Sequence, residues 1–235
     1  TQWQALWVQG NWASAVLSAR GVQGRVMDLA ISHHIDPNPA YRDRAIEELR
    51  NLAGWSSWID PCHNHIAADL CTAEAAVAVA VGLDWLWEDL AEGLRDELLT
   101  ALREKAIKPF LAGCKQGAMW TSCYHSWNAV VNGGLGLAAL ALSDTDADAR
   151  KAYAEARKNL RHFFDALGRE GGWDEGIGYW GYAMRYVLLL AEAARRLDDD
   201  AGSTSRPSAH AIRAARGCLN SGRSVNAGRA PASNR

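Results

Sequence analysis

The chain has 235 residues, of which 49% are hydrophobic and 22% are charged, enough to fill one globular core. Lysine and arginine number 25 against 27 aspartates and glutamates, and the formal net charge of -2 excludes the strong positive field that holds nucleic acid. No apolar run reaches the roughly 20 residues of a membrane helix, because residues 70–83 are interrupted by Thr72 and Glu74, so neither nucleic acid nor a membrane is an expected partner.

Helix-like segments of two kinds alternate along the chain. One kind is apolar and rich in small residues, and the other is amphipathic, with apolar residues at spacings of three and four. In chain order the segments are residues 26–35, 41–52, 72–83, 94–111, 128–142, 147–167 and 179–194. Breakers such as the DPNP of residues 36–39 separate them. The sequence therefore predicts antiparallel helical hairpins, with apolar helices inside and charged helices outside.

The apolar segments begin at positions 26, 72, 128 and 179, and this repeat predicts an all-α fold, an incomplete (α/α) toroid of antiparallel helical hairpins. A plain α-solenoid or an irregular bundle would show the same periodicity. The toroid domain is expected to span residues 1–200. Residues 201–235 are rich in Arg, Ser, Ala, Gly and Asn and poor in large apolar residues, so we expect a disordered or aberrant tail there.

Cysteine usage gives no sign of a disulfide framework, because the five cysteines are odd in number and irregular in spacing. Cys62, His63, His65 and Cys71 could in principle form a zinc cluster, but their spacing is not that of a structural zinc site. Core thiols and histidines that line a cleft or cap a helix explain the same residues. No metal and no cofactor are therefore expected.

Glycine-rich segments place aromatic and polar side chains at the beginning of the last two apolar helices. HSWNAVVNGGLG begins at His125, and GGWDEGIGYWGY begins at Gly171. Flat aromatic faces stack on sugar rings, amides and carboxylates bind hydroxyls, and small residues let the backbone approach a ligand closely. The pattern predicts a carbohydrate cleft whose floor contains Trp127, Trp173 and Trp180.

A polar stripe and a polar loop supply further candidates. His125, Asn128 and Asn132 lie at spacings of three and four, which predicts one helical face. The stripe would bind a substrate carboxylate, or it would be a set of satisfied polar residues in the core. His63 and His65, in the loop before the second apolar helix, would lie on the same rim of the cleft, or they would be ordinary surface histidines.

Tyr179 and Tyr182 are three residues apart, so they are neighbours at the beginning of the last apolar helix. A tyrosine beside positive charge can act as an acid or a base despite its usual pKa of about 10. Packing in the core is the alternative. Asp174 and Glu175 suit a helix N-terminus, and because adjacent residues point in different directions we interpret Glu175 as orienting the site or binding sugar.

Four blocks resemble the helical domain of the heparinase II/III-like polysaccharide lyases, over residues 20–197. The blocks are MDLAISHHIDPNPAYRDRAIEELRNLAGW, TAEAAVAVAVGLDWLWEDL, WNAVVNGGLGLAALAL and GGWDEGIGYWGY. The resemblance implies cleavage of uronic-acid-containing glycans by β-elimination, in which an Asn or His neutralises the carboxylate and a Tyr removes the C5 proton. Carried over by position, Asn128 or His125 would be the neutralising residue and Tyr179 the base, with Tyr182 as the second choice.

The resemblance also implies an acidic polysaccharide or oligosaccharide as partner and a periplasmic or secreted location. The family continues into a β-sandwich, so this chain is expected to be incomplete, through truncation or a frameshift, and inactive alone. The alternatives are a non-catalytic glycan-binding remnant and a glycoside hydrolase on the same toroid. The hydrolase would use Asp69, Asp84 or Asp174 with Glu175.

Overall fold

The polypeptide forms helices arranged in an inner and an outer layer. The computed structural model describes residues 12–202. Its helices are α1 (Trp12–Ile35), α2 (Pro39–Ala53), α3 (Leu70–Trp85), α4 (Glu92–Leu102), α5 (Lys108–Gln116), α6 (Ser126–Leu142), α7 (Ala147–Asn159), α8 (Arg161–Ala166) and α9 (Gly176–Gly202). No strand occurs within residues 12–202, which confirms the all-α prediction.

The inner layer consists of α1, α3, α6 and α9, which stand side by side in chain order and pack each against the next. The outer layer covers them: α2 packs on α1 and α3, α4 packs on α2 and α3, and α7 packs on α6. Between one inner helix and the next, the chain passes through at least one outer helix. The apolar and charged segments of the sequence thus occupy the inner and outer layers respectively.

Helices α3 and α6 form the centre of the molecule because they are apolar on every side. All residues from 71 to 84 in α3 and from 128 to 140 in α6 are buried. A helix without a polar face is stable only when neighbours cover all of its surface. The outer helices α2 and α7 instead bury one stripe, which includes Leu49 and Leu52 in α2 and Ala152 and Ala156 in α7.

Side-chain caps define where several helices begin. Asp69 accepts a hydrogen bond from the Thr72 backbone N–H, and the Thr72 hydroxyl oxygen accepts one from the Asp69 backbone N–H, a reciprocal capping box at the start of α3. Asp146 accepts hydrogen bonds from the first turn of α7. The capping box of Asp69 and Thr72 fixes the α3 N-terminus, which borders the cleft described below.

The outer layer departs from the sequence prediction at two places. Residues 94–111, predicted as one helix, widen into a π-helical turn over Arg103–Ile107, where the Lys108 N–H bonds to the Arg103 carbonyl. Pro109 follows directly and has no N–H to donate, so the wider turn absorbs the break in the hydrogen-bond ladder. Residues 147–167, also predicted as one helix, are divided at Leu160 into α7 and α8.

The C-terminal helix α9 continues through Gly202. The remainder of the tail predicted from residue 201 lies outside the described residues. Among the helices of residues 12–202, none is long and apolar enough to cross a membrane.

Glycines in α6 allow the inner helices to approach closely. A Cβ added at Gly133 would lie 2.9 Å from the Cβ and backbone carbon of Tyr186 in α9, and one added at Gly134 would lie 3.0 Å from the Cβ of Ala73 in α3. Helix α6 therefore fits between α3 and α9 because these positions lack side chains. The same fit brings Tyr186 against α3.

We expect Gly133→Ala to destabilise the fold by about 1–3 kcal/mol, because the added methyl meets backbone atoms that cannot rotate away. Gly24→Ala in α1 is the matched control, since a Cβ there meets nothing within 4 Å. It should stabilise the fold by about 0.5–1 kcal/mol through the lower chain entropy of alanine. Urea unfolding of both variants measures the difference, and equal stabilities would contradict the close α6–α9 contact.

Candidate functional site

An open cavity lies where the beginnings of α3, α6 and α9 meet the first half of α1. Its volume is about 700 Å³, within the range of roughly 300–1,000 Å³ typical of small-molecule sites. The lining residues are Val16, Leu17, Arg20, His63, Leu70, Ser126, Trp127, Gly178, Tyr179, Tyr182 and Arg185. The cavity thus combines aromatic faces, cationic groups and phenolic hydroxyls in one cleft.

The buried carboxylate of Glu74 lies behind the cavity wall and binds several of its residues. Its Oε1 accepts hydrogen bonds from Arg20 Nε at 2.7 Å and from the Tyr182 hydroxyl at 2.8 Å. Its Oε2 accepts the Tyr186 hydroxyl, which also accepts a hydrogen bond from Gln23 Nε2 at 3.1 Å. Glu74 is fully buried, so these bonds replace the water that a carboxylate needs.

The Glu74 carboxylate and its partners Arg20, Tyr182 and Tyr186 form a cluster, here called the Glu74 cluster, in which burial and charge set the protonation state of each group. Burial, and then the Glu74 charge, raise the pKa of Tyr182 and Tyr186 well above the usual value. Burial works against the charge on Arg20, but the Glu74 carboxylate outweighs it and raises the pKa of Arg20. The Arg20 guanidinium also stacks over the Tyr182 ring at 4.4 Å. Both tyrosines therefore stay protonated, and Arg20 stays charged and fixed in orientation.

A second buried carboxylate orients His63 at the other side of the cavity. His63 Nδ1 lies 2.9 Å from Asp69 Oδ2, and Asp69 Oδ2 also accepts the Asp60 backbone N–H. The His63 ring meets Trp127 edge-on, with the ring centroids 5.0 Å apart. The imidazole is therefore held on two sides where it borders the cavity.

Hydrogen bonds from the loop before α9 hold the rim of the cavity in place. Glu175 accepts a hydrogen bond from the Ser126 backbone N–H at 2.6 Å, so its carboxylate satisfies the N-terminus of α6. The Trp173 indole donates to the Tyr124 carbonyl at 3.1 Å. Trp180 donates to the Gly171 carbonyl and closes the loop on its own helix. Glu175, Trp173 and Trp180 thus shape the rim rather than line the cavity.

Asn128 and Asn132 occupy the core and do not face the cavity, contrary to the expected contact with a substrate. Both are fully buried. The amide of Asn128 donates to the carbonyls of Trp120 and Asn159, and the amide of Asn132 donates to that of Trp120. Their shared helical face is directed at the outer layer. In this structure the stripe lies in the core, as the alternative reading of the spacing had it, and its amide N–H groups bind core carbonyls; Asn128 Oδ1 is buried without a hydrogen-bond partner among the described residues.

The remaining predicted residues lie outside the cavity lining. His125 precedes α6 in an extended conformation, so helical spacing does not place it beside Asn128; its Nδ1 lies 3.8 Å from Cys123 Sγ. His65 is exposed. Within residues 12–202 no three His, Cys, Asp or Glu side chains are grouped to hold a metal ion, and Cys71 of the considered zinc cluster is buried.

The cavity therefore unites His63, Trp127, Tyr179 and Tyr182 from the predicted set. The structure adds Arg20 at the cavity and Glu74 behind its wall. The sequence could have pointed to Glu74, because it is a single carboxylate within the apolar segment of residues 72–83. A carboxylate in such a segment is buried and needs a charged or hydrogen-bonding partner. Nothing in the sequence around Arg20 indicated its role. Its partner Glu74 is 54 positions away along the chain, and only the packing of α1 on α3 brings the two together.

The chain matches no protein-family model and no curated protein sequence. The resemblance to the heparinase II/III-like lyases stays a prediction. The function is therefore inferred from the cavity itself.

We expect the free energy of unfolding to fall as the pH rises above about 10. An unfolded tyrosine releases its proton near that pH, whereas folded Tyr182 and Tyr186 keep theirs because their pKa values are raised. Each such tyrosine contributes about 1.4 kcal/mol per pH unit to the fall. Urea unfolding at a series of alkaline pH values measures the slope.

Tyr182→Phe should make that alkaline slope shallower, and Tyr124→Phe, at a tyrosine that is 58% exposed, is the matched control for the loss of a phenol. Identical slopes for the original chain and Tyr182→Phe would show that the Glu74–Tyr182 bond does not form in solution.

Proposed function

We propose that this chain binds uronic-acid-containing glycans in the cavity and cleaves them by β-elimination, as a polysaccharide lyase-like domain. We further propose that the inner and outer layers form an arc of an incomplete (α/α) toroid, with the cavity on its inner rim. The resemblance to the heparinase II/III-like lyases supports both proposals. The observation that carries the function is the convergence of Arg20, Arg185, Tyr179 and Trp127 on one cavity.

Arginines at the cavity fit the carboxylate of a uronate. Arg20 bonds to Glu74 through Nε, and its side chain lines the cavity. Arg185 is exposed, and the contact of its Nη2 is to the Met27 sulfur at 3.5 Å. A guanidinium binds a planar carboxylate through paired N–H donors. These arginines take the neutralising role that the family pattern assigned to Asn128 or His125.

Tyr179 suits the role of base better than Tyr182. The Tyr182 hydroxyl donates to Glu74, and its raised pKa keeps it protonated. Tyr179 is 56% exposed at the cavity. Arg20 and Arg185 line the same cavity, so one bound uronate can contact both guanidinium groups and the Tyr179 hydroxyl. Trp127 offers an aromatic face for a sugar ring.

The proposed reaction breaks two bonds of the glycan and consumes no water. The Tyr179 phenolate removes the C5 proton, and the electrons of the C5–H bond form the C4–C5 double bond. The C4–O4 bond then breaks, and its electrons stay on O4, which receives a proton. Negative charge that develops on the uronate carboxylate is stabilised by the guanidinium groups. The products are an unsaturated uronate and a shortened chain.

A glycoside hydrolase fits the cavity less well. Hydrolysis with an acid–base pair needs two carboxylates that flank the scissile bond, and the described residues that line the cavity include no Asp or Glu. Asp69 is buried and occupied with the α3 cap and His63. Glu175 is engaged with Ser126. A binding module would bind the glycan without forming product, so an activity assay distinguishes it from a lyase.

The family pattern implies that this chain is inactive alone, but the cavity brings the arginines and Tyr179 together within the described residues. We therefore expect the chain by itself to generate ultraviolet absorbance from unsaturated uronate when it is incubated with alginate, polygalacturonate or heparan sulfate. Tyr179→Phe should lower this rate by roughly 100-fold or more, because the general base is lost, with substrate binding nearly unchanged. Tyr124→Phe is the matched control: its side chain is equally exposed but lies outside the cavity lining.

Reducing ends that appear without ultraviolet absorbance would instead indicate a hydrolase. Binding of a uronate glycan without formation of either product would indicate a binding module. Full lyase activity in Tyr179→Phe would remove Tyr179 from the mechanism.

We also expect Arg185→Met to weaken uronate binding by roughly 10-fold or more, since a charge-assisted hydrogen bond contributes about 1.5–3 kcal/mol. Binding of a neutral oligosaccharide of the same length should change little. Arg161→Met, at an exposed arginine of α8, controls for the loss of one positive charge. Calorimetric titration of the original chain and both variants with each ligand measures these affinities. An equal loss of affinity for the neutral and acidic ligands in Arg185→Met would contradict a carboxylate-binding role.

A further inference from the structure

The proposed elimination needs an acid that protonates the departing O4, and the tyrosines do not provide one. Tyr182 directs its proton to Glu74, and Tyr186 directs its proton to the same carboxylate from a buried position. Tyr179 is assigned to remove the C5 proton. Among the described residues that line the cavity, His63 is the other side chain that commonly transfers protons near neutral pH.

The surroundings of His63 fix the orientation of its imidazole. Asp69 is fully buried, and its Oδ1 accepts hydrogen bonds from the Thr72 backbone N–H and hydroxyl. Its Oδ2 accepts the Asp60 N–H and faces His63 Nδ1. Because this carboxylate is anchored to the backbone on both oxygens, it cannot follow a rotating ring. The rigid acceptor therefore sets the direction of the imidazole.

The pairing with Asp69 also decides which ring nitrogen serves a ligand. A ring nitrogen that faces a carboxylate carries the proton of a neutral imidazole, because a carboxylate oxygen accepts a hydrogen bond and cannot donate one. In His63 that nitrogen is Nδ1, so Nε2 is the nitrogen that gains and loses a proton. No described residue bonds to Nε2 of His63, whose ring borders the cavity beside Trp127.

We propose that His63 is the catalytic acid of the elimination and that Asp69 is its positioning residue, an inference that rests on the proposed lyase function. Nε2–H of the imidazolium transfers its proton to O4 as the C4–O4 bond breaks, and the ring is left neutral. Tyr179 gains the C5 proton in the same turnover. Exchange with solvent then returns one proton to His63 and removes one from Tyr179, so the enzyme is restored.

The test compares two leaving groups in the full chain. One substrate is a uronate oligosaccharide, whose alkoxide must be protonated as it leaves. The other is the corresponding 4-deoxy-4-fluoro uronide, whose fluoride leaves without a proton. His63→Gln should lower the rate on the oligosaccharide by roughly 100-fold or more and leave the rate on the fluoride within a few-fold. Tyr179→Phe should lower both rates, because both substrates must lose the C5 proton.

His65→Gln is the matched control, since His65 belongs to the same loop but is exposed and lies outside the cavity lining. It should leave both rates unchanged, and thermal unfolding should show that both histidine variants are folded.

If His63→Gln lowers the rates on both substrates equally, or lowers neither, the assignment of His63 as the acid is overturned. An original chain that eliminates neither substrate would overturn the proposed function and this inference together, whereas an active chain indifferent to His63→Gln would overturn only the inference.

Discussion

The buried carboxylate of Glu74 is the interaction on which the arrangement of the cleft depends. It binds Arg20 of α1 and both Tyr182 and Tyr186 of α9, so one side chain of α3 connects the first and last helices of the inner layer. Removing water from a carboxylate is costly, and the cost is offset only while all partners stay in place. The positions of the residues around the cavity therefore depend on Glu74 being ionised and on Tyr182 and Tyr186 being protonated.

Close packing makes that cluster geometrically possible. Gly133 and Gly134 let α6 lie against both α9 and α3, and a methyl group at either position would meet atoms about 3 Å away. The approach sets Tyr186 opposite Glu74. At the rim, Glu175 caps α6 from the loop before α9, so the same two helices are joined at the mouth of the cavity. Rigid walls of this kind preorganise a site before a ligand arrives.

Environment, rather than residue type, separates the roles of the cavity residues. Tyr179 and Tyr182 are one helical turn apart, yet one is exposed and the other donates its proton to a buried carboxylate. His63 and His65 belong to one loop, and only His63 has a buried carboxylate behind it. Pairs of chemically identical groups thus acquire different proton-transfer properties, which is how a single cleft can hold both an acid and a base.

The sequence by itself determined the all-α class and the alternation of apolar and amphipathic helices, because helical periodicity and breakers are local properties of the chain. Tertiary structure decided which polar residues face the cleft. Asn128 and Asn132 share a helical face as predicted, but the neighbours of that face, Trp120 and Asn159, direct it into the core. The contact of Arg20 with Glu74 depends on how α1 packs on α3, a long-range arrangement that no local pattern encodes.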